Sequence, residues 1–372
     1  MYEYVHGGDI YSAKEQIGKE EILDFSVNTN PLGLPDEVKQ AIEEALADSE
    51  KYPDPFCREL TAALANYEKT NQDYILCGNG ASDIIFRLAL ALKPKKALLC
   101  APTFADYEKA LKTVGCDIDY YYLSIDEDFL VGIDFIDKIN TETDMVYICN
   151  PNNPTGQLCS KSFIQNVLDR CRETKTVVLI DECFIDFIDQ AEDYSVQPFV
   201  EAYSNLVILK AFTKIYAMAG IRLGYTITSN KLLIEKMRTS GQDWGVSSLA
   251  QAAGISALKL TNYIKDTKRL IPEERNFLIG ELTNLGFEIY GSKANYIFFK
   301  TNVANNVNVS NLNQRLLSKG ILIRACSNYI NLDSDFYRVA VKKRRDNMKL
   351  IEALKDVIDD ENNDDNLRWV SR

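Results

Sequence analysis

The strongest candidates for chemistry are a lysine and an acid that each stand at the end of an apolar, strand-like run. Lys214 follows LVILKAFT, and burial there would lower its pKa and leave an amine that can form an imine. Asp181 follows VVLI, where a carboxylate is costly unless it is paired, and a cationic ring nitrogen would pair with it. Arg222 adds a nearby charge. If this segment stood alone, the simpler interpretation would be that Lys214 and Arg222 are surface charges. Lys210 is the rival candidate for the imine-forming lysine, but no hydroxyl residue stands immediately before it.

Two loops could bind the polar parts of a ligand. GNGASD at 78–83 precedes a helical pattern, so its glycines and the helix N-terminus could hold an anion, although such a turn alone is more often an ordinary loop. It matches no nucleotide-binding fingerprint. NPNNPTG at 150–156 follows the strand-like MVYIC, at the edge where α/β folds place ligands. Together with the strand-end acid and lysine, these are the parts that pyridoxal phosphate requires.

Continuous apolar runs predict the sheet that must position these residues. We expect strands at 97–100, 145–149, 176–180, 206–209 and 221–227, alternating with helices at 83–92, 107–114 and 160–172. Such runs indicate strands that are buried on both faces, as in a parallel or mixed sheet covered by helices. The fold class is therefore α/β.

The two ends of the chain predict a smaller α+β unit. We expect an irregular arm at 1–34, helices at 35–49, 262–285, 309–318 and 344–358, and strands at 296–300, 321–324 and 337–341. The predicted large α/β domain spans 45–260. The predicted small domain combines 1–44 with 261–372.

Composition excludes several classes of protein. The 372 residues include 54 acidic and 42 basic side chains, and the net charge of −12 argues against nucleic-acid binding. One His and nine Cys without a C-x-x-C pair predict neither a metal centre nor a disulfide framework. We find no signal-like start and no long apolar window, so we expect a cytoplasmic protein with no membrane partner.

The pattern as a whole resembles the fold-type-I pyridoxal-phosphate enzymes of the class I/II aminotransferase superfamily, over nearly the whole chain. This resemblance implies a large domain with a mostly parallel seven-stranded sheet, a small α+β domain and a homodimer. It also implies that Lys214 is the catalytic, imine-forming residue, that Asp181 holds the pyridinium proton and that Asn153 binds the ring oxygen. The other cofactor-binding residues that it implies are Gly80, Ala81, Ser82, Thr213 and Arg222 around the phosphate, Phe104 stacked on the ring, and Tyr52 reaching the neighbouring subunit's cofactor.

Four motifs resemble one subfamily, the L-threonine-O-3-phosphate decarboxylases of cobalamin biosynthesis: HGG at 6–8, DFSVNTNPLG at 24–33, DECFIDF at 181–187 and ILIRACSNY at 321–329. The resemblance implies a phosphorylated amino acid as substrate, with CO2 and (R)-1-amino-2-propanol phosphate as products. The substrate-binding residues that it implies are His6, Gly7, Asn30, Asn153, Arg324 and Arg338. His6 could instead be an ordinary surface residue, and Arg324 could pair with a structural carboxylate.

Phe184 separates the activities that this superfamily supports. Many aminotransferases carry a Tyr three residues after the pyridinium Asp, and its hydroxyl binds the ring oxygen. Phe184 cannot do so, and the decarboxylase resemblance also implies a Phe here.

Two alternatives for the activity stay open. One is decarboxylation of L-serine phosphate to ethanolamine phosphate, which differs by one methyl group. The other is transamination of a phosphorylated amine such as histidinol phosphate.

Overall fold

Strands and helices alternate along the chain in a computed structural model that describes residues 6–301 and 309–370, with side chains to residue 360. Residues 1–5 of the predicted arm lie outside the described part. The strands are β1 (Leu23–Asp24), β2 (Ile75–Gly78), β3 (Lys96–Ala101), β4 (Asp117–Tyr122), β5 (Met145–Cys149), β6 (Val177–Asp181), β7 (Leu206–Ala211), β8 (Gly224–Ile227), β9 (Glu288–Tyr290), β10 (Tyr296–Lys300), β11 (Ile321–Leu322), β12 (Arg324–Ala325) and β13 (Phe336–Ala340).

The α-helices of the described residues vary from one turn to many. They are α1 (Ile10–Ile17), α2 (Asp36–Ala45), α3 (Arg58–Glu68), α4 (Ala81–Leu92), α5 (Ala105–Thr113), α6 (Lys161–Thr174), α7 (Phe212–Ile215), α8 (Lys231–Thr239), α9 (Ser248–Ala257), α10 (Thr261–Asn284), α11 (Leu312–Ser318) and α12 (Arg344–Val370). Within the described residues, no helix has the length and apolar composition needed to cross a membrane.

Seven strands form the large sheet in the order β2-β8-β7-β6-β5-β3-β4. Only β8 runs antiparallel to its neighbours, β2 and β7. The central strands β5 and β7 are buried along their whole length, which explains why they read as continuous apolar runs rather than as alternating patterns. The predicted α/β class and the mostly parallel seven-stranded sheet are confirmed.

The remaining strands come from both ends of the chain. β12, β13, β10 and β9 form an antiparallel sheet, and β1 pairs in parallel with β11. These two sheets contain the strands that we expected in a smaller α+β unit. The domain boundaries at 45 and 260 stay a prediction.

Three expectations about local structure were wrong. The arm at 1–34 is not wholly irregular, because it contains α1 and β1, and β1 exists only through its pairing with β11. The strand expected at 221–227 begins at Gly224, since Arg222 has a φ of +62° and turns the chain before it. The strand expected at 321–324 divides into β11 and β12, which join different sheets.

Candidate active site

The predicted site segments meet where the parallel strands of the large sheet end. Because β2, β3, β5, β6 and β7 run in one direction, the segments that follow them share one edge of the sheet. Helices α4 and α5 begin at this edge, after β2 and β3. Asp181 is the last residue of β6, and Lys214 lies in α7 directly after β7.

Lys214 lies in surroundings that disfavour its charge. Burial is the main cause that lowers its pKa to about 8, and the positive charges of Arg338 and Arg222 act in the same direction. Asp181 opposes them. The Nζ atom of Lys214 lies 5.8 Å from the centroid of the Phe184 ring. An amine with a pKa of about 8 is half neutral at pH 8, whereas an ordinary lysine is almost wholly charged there, so Lys214 is suited to imine formation.

Lys210, the rival lysine, has the opposite electrostatic environment. Its Nζ lies 3.0 Å from both carboxylate oxygens of Glu68. Burial would lower the pKa of Lys210, but the carboxylates of Glu68, Glu182 and Asp186 outweigh this effect and raise the pKa. A lysine that is held charged by a buried carboxylate is a poor nucleophile, so this geometry favours Lys214 over Lys210.

Asp181 is a buried carboxylate, only 5% exposed. Its Oδ2 atom accepts a hydrogen bond from the Tyr107 hydroxyl at 2.6 Å, and its Oδ1 atom accepts one from the backbone N–H of Cys183 at 2.9 Å. Burial raises the pKa of Asp181, and the hydrogen bonds from Cys183 and Tyr107 act against this shift. A cation beside Asp181 would offset the cost of burying its charge.

A glycine permits an arginine to lie over the start of α4. Gly80 has a φ of +83°, and a Cβ atom there would lie 2.5 Å from Nη2 of Arg222. Ala81 and Ser82 are the first two residues of α4, where unpaired backbone N–H groups can bind a phosphate. Thr213 is buried at the start of α7. The structure thus brings the predicted phosphate-binding loop and Arg222 together.

The arm reaches this loop through the first turn of α5. The Nε2 atom of His6 lies 3.0 Å from Oδ1 of Asp106, and the Ser82 hydroxyl donates to Oδ2 of Asp106 at 2.5 Å. The His6 ring also contacts Phe104, with the ring centroids 5.5 Å apart. Gly7 is pressed against Ser26, since a Cβ at Gly7 would lie 2.4 Å from the Ser26 carbonyl oxygen.

Two arginines face each other across neighbouring strands. Arg324 of β12 is paired with Arg338 of β13. The Nη1 atom of Arg338 donates to Oδ1 of Asn153, and its Nη2 atom donates to the Ser26 carbonyl at 2.8 Å. The Nε atom of Arg338 is buried and has no hydrogen-bond partner among the described residues. The guanidinium of Arg324 lies 5.1 Å from the centroid of the Tyr329 ring, and the Tyr329 hydroxyl lies 3.3 Å from Oδ1 of Asn153.

The amide of Asn30 is committed to the protein itself. Its Nδ2 atom donates to the Ile215 carbonyl at 2.8 Å and to the Thr267 hydroxyl at 2.7 Å. Its backbone N–H donates to the carbonyl of Lys214 at 3.0 Å. Asn30 therefore holds α7 in place, and its contact with substrate stays a prediction.

Tyr52 lies apart from these groups. Its ring is 79% exposed and stacks on Trp244, with the ring centroids 4.5 Å apart. This exposed position leaves the ring open to a partner subunit, as the resemblance implied, and that role stays a prediction.

Sequence reasoning missed Tyr107 and Asp106 as members of the site. Both lie in α5, Asp106 two and Tyr107 three residues after Phe104. The signal that could have found them is their place in the first turn after a strand end. Tyr107 bonds Asp181, and Asp106 bonds Ser82 and faces His6. The motif APTFADY therefore supplies three residues to the site, where the sequence pattern suggested one.

The chain belongs to the class I and II aminotransferase family, whose profile matches residues 20–354. It is 34% identical over 361 residues to threonine-phosphate decarboxylase from Salmonella typhimurium. The alignment covers 96% of this chain and 98% of that protein. Among solved structures, histidinol-phosphate aminotransferase from Clostridium acetobutylicum is 38% identical, with a TM-score of 0.84 over 91% of this chain and 100% of that chain. L-threonine-O-3-phosphate decarboxylase from Porphyromonas gingivalis, at 24% identity and a TM-score of 0.80, covers the same shares and shares the fold. The predicted superfamily is confirmed.

Proposed function

We propose that this chain is a pyridoxal-phosphate-dependent decarboxylase that converts L-threonine O-3-phosphate into (R)-1-amino-2-propanol phosphate and CO2 in cobalamin biosynthesis. The observation that carries the proposal is the opposed pair Arg324 and Arg338, of which Arg338 is close enough to Lys214 to lower the pKa of its amine. Like charges directly opposite each other on neighbouring strands are destabilising unless an anion lies between them. Threonine phosphate brings a carboxylate and a phosphate to such a site.

The residues of the site fit the cofactor. Lys214 has the lowered pKa that a covalent link to an aldehyde requires, and the buried Asp181 suits a protonated ring nitrogen. Gly80 leaves room for Arg222 above the start of α4, where a phosphate can bind. Bound pyridoxal phosphate would supply an electron sink for the Cα bond that breaks.

The chain's own residues would decide which Cα bond breaks. The bond that lies perpendicular to the cofactor ring is the one that is activated, so anchoring the two anionic groups of the substrate selects the carboxylate bond. The buried Nε of Arg338 can donate to the substrate carboxylate, and Arg324, on the neighbouring strand, can bind its phosphate. Lys214 can return a proton to Cα from Nζ after CO2 leaves.

One observation favours the alternative of an aminotransferase acting on histidinol phosphate. The solved structure with 38% identity carries that name, whereas the relative named decarboxylase is 34% identical. Because these identities are so similar, the residues of the site distinguish the two reactions better than the names do. Phe184 faces Lys214 and Tyr296 with no hydroxyl to offer the cofactor ring, which supports decarboxylation. Serine phosphate stays a competing substrate, because one methyl group changes binding by only about 1–3 kcal/mol.

We also propose a cytoplasmic homodimer in which Tyr52 completes the partner's site. The support for the dimer is the exposed stack of Tyr52 on Trp244, since an aromatic pair on a surface is typical of an interface. The support for the compartment is that all nine cysteines are buried and free, as expected in a reducing environment.

The test is a product assay without any keto acid. The protein is loaded with pyridoxal phosphate and given L-threonine phosphate, and CO2 and the phosphorylated amine are followed by mass spectrometry. We expect both products in equal amounts, and a parallel assay with L-serine phosphate ranks the two substrates. If CO2 is not released, and nitrogen is transferred to 2-oxoglutarate from histidinol phosphate instead, the proposed reaction is wrong.

A further inference from the structure

Asp106 links two parts of the chain that are predicted to hold different phosphates. Its Oδ1 atom lies 3.0 Å from Nε2 of His6, which is predicted to bind the substrate. Its Oδ2 atom accepts a hydrogen bond from Ser82, which is predicted to bind the cofactor phosphate. Burial would raise the pKa of Asp106, but the hydrogen bonds from His6 and Ser82 outweigh this effect and lower it, so Asp106 is a carboxylate at neutral pH.

We infer that Asp106 is a positioning residue that fixes the His6 ring for the phosphate group of the substrate. The inference rests on the proposed function. His6 belongs to the arm, and its side chain is 24% exposed, so its orientation depends on the groups around it. A hydrogen bond from Nε2 to a carboxylate determines both the ring orientation and the nitrogen that carries the proton. Phe104, the residue before α5, also contacts the His6 ring, so two residues at the start of α5 limit the orientation of His6.

The contact with Ser82 offers a rival role for Asp106. A serine hydroxyl has one proton, and in this structure that proton goes to Asp106. Ser82 can donate to a cofactor phosphate only after it turns away from Asp106. The carboxylate would then keep His6 as its partner, which is the arrangement that we propose for the loaded enzyme. If Asp106 acted chiefly through Ser82, its removal would change cofactor binding rather than substrate binding.

The two roles are separated by measuring both affinities in Asp106→Ala. We expect KM for L-threonine phosphate to rise about tenfold, the loss of one charge-assisted hydrogen bond, and we expect its Kd to rise equally when calorimetry is done in a Lys214→Ala background without turnover. We expect kcat and the Kd for pyridoxal phosphate to change less than about threefold. The matched control is Glu108→Gln, which removes an acidic charge from the same first turn of α5, where Glu108 pairs with Lys112. Glu108→Gln should leave KM, kcat and both Kd values, for L-threonine phosphate and for pyridoxal phosphate, unchanged.

A double-variant cycle tests the route through His6. If Asp106 acts through His6, the double variant His6→Ala/Asp106→Ala should bind L-threonine phosphate no more weakly than His6→Ala alone. Additive losses would overturn the inference, and so would weaker binding of pyridoxal phosphate with an unchanged KM.

Asp106→Asn, which keeps the side-chain volume, replaces Asp106→Ala if the latter does not fold. We expect a smaller rise of Kd and KM from Asp106→Asn. If the wild-type protein releases no CO2, the proposed function fails, whereas calorimetry with L-threonine phosphate still tests Asp106.

Discussion

Burial acts in opposite directions on the pKa values of Lys214 and Asp181, the two residues that we propose to face the cofactor. It lowers the pKa of Lys214 to about 8 and raises the pKa of Asp181, so each group is driven towards its neutral form. Tyr107 limits the shift of Asp181 through its hydrogen bond, and Arg338 adds to the shift of Lys214. A ligand with a cationic ring nitrogen and a carbonyl carbon would match both residues.

The lowered pKa of Lys214 predicts how covalent capture of pyridoxal phosphate depends on pH. We expect the initial rate of borohydride-trapped adduct formation in the apoprotein to rise with pH through about 8 and then to level off, because Nζ is then neutral. Mass spectrometry of the trapped peptide measures it. Lys214→Ala should abolish trapping, and a trapped adduct on Lys210 would contradict the assignment.

The lowered pKa of Lys214 also makes the stability of the apoprotein depend on pH. Between pH 8 and 10.5 the native apoprotein binds fewer protons at Lys214 than the unfolded chain does. The contribution of this residue to the free energy of unfolding therefore rises as pH rises through that window, and it is unfavourable below pH 8. Lys214→Met should remove this dependence in urea titrations of the apoprotein.

At the scale of elements, the one antiparallel strand of the large sheet packs against the predicted phosphate-binding loop. β8 lies between β2 and β7, so its first residue meets the start of α4. A Cβ atom at Gly224 would lie 2.6 Å from the backbone nitrogen of Ala81 and 2.8 Å from the carbonyl carbon of Gly80. The glycine thus allows the strand and the helix start to approach each other closely.

Gly224→Ala should therefore weaken both the fold and the phosphate site. We expect a loss of about 1–3 kcal/mol in the free energy of unfolding, because backbone atoms cannot move aside easily. We also expect weaker binding of pyridoxal phosphate, measured by fluorescence titration. Gly220→Ala is the matched control, since a Cβ there meets no atom within 4 Å. If the two variants had the same free energy of unfolding and the same affinity for pyridoxal phosphate, the close approach of Gly224 to the start of α4 would not matter.

At the scale of the whole molecule, the position of Tyr52 predicts that one subunit completes the site of another. Tyr52 is 79% exposed and is supported by Trp244, outside the cluster around Lys214. We expect Tyr52→Ala to weaken pyridoxal-phosphate binding. Tyr11→Ala, at another tyrosine that is 79% exposed, should not.

Mixing two inactive proteins tests this arrangement directly. Tyr52→Ala and Lys214→Ala should each have little activity alone. After co-refolding in equal amounts, a dimer with shared sites should regain about a quarter of the wild-type sites, because half of the dimers are mixed and each has one intact site. Activity that stays at the level of the separate variants, with a monomer in sedimentation, would contradict the shared site.

The sequence by itself determined the architecture and the placement of two residues of the candidate site. Continuous apolar runs are a local property, so they predicted the buried strands and placed Asp181 and Lys214 at strand ends, which the structure confirms. The loop before α4 was predicted in the same way, from the residues between a strand-like run and a helical pattern. Short segments such as β1 could not be predicted, because two residues form a strand only when a distant partner pairs with them.

Tertiary structure alone decided which distant side chains meet. The pairing of Arg324 with Arg338 depends on the register of β12 and β13, and no local pattern specifies that register. The contact between His6 and Asp106 joins residues 100 positions apart, and it exists only because the arm packs against α5. Periodicity shows which side of an element is buried, whereas the partner across an interface depends on how whole elements pack.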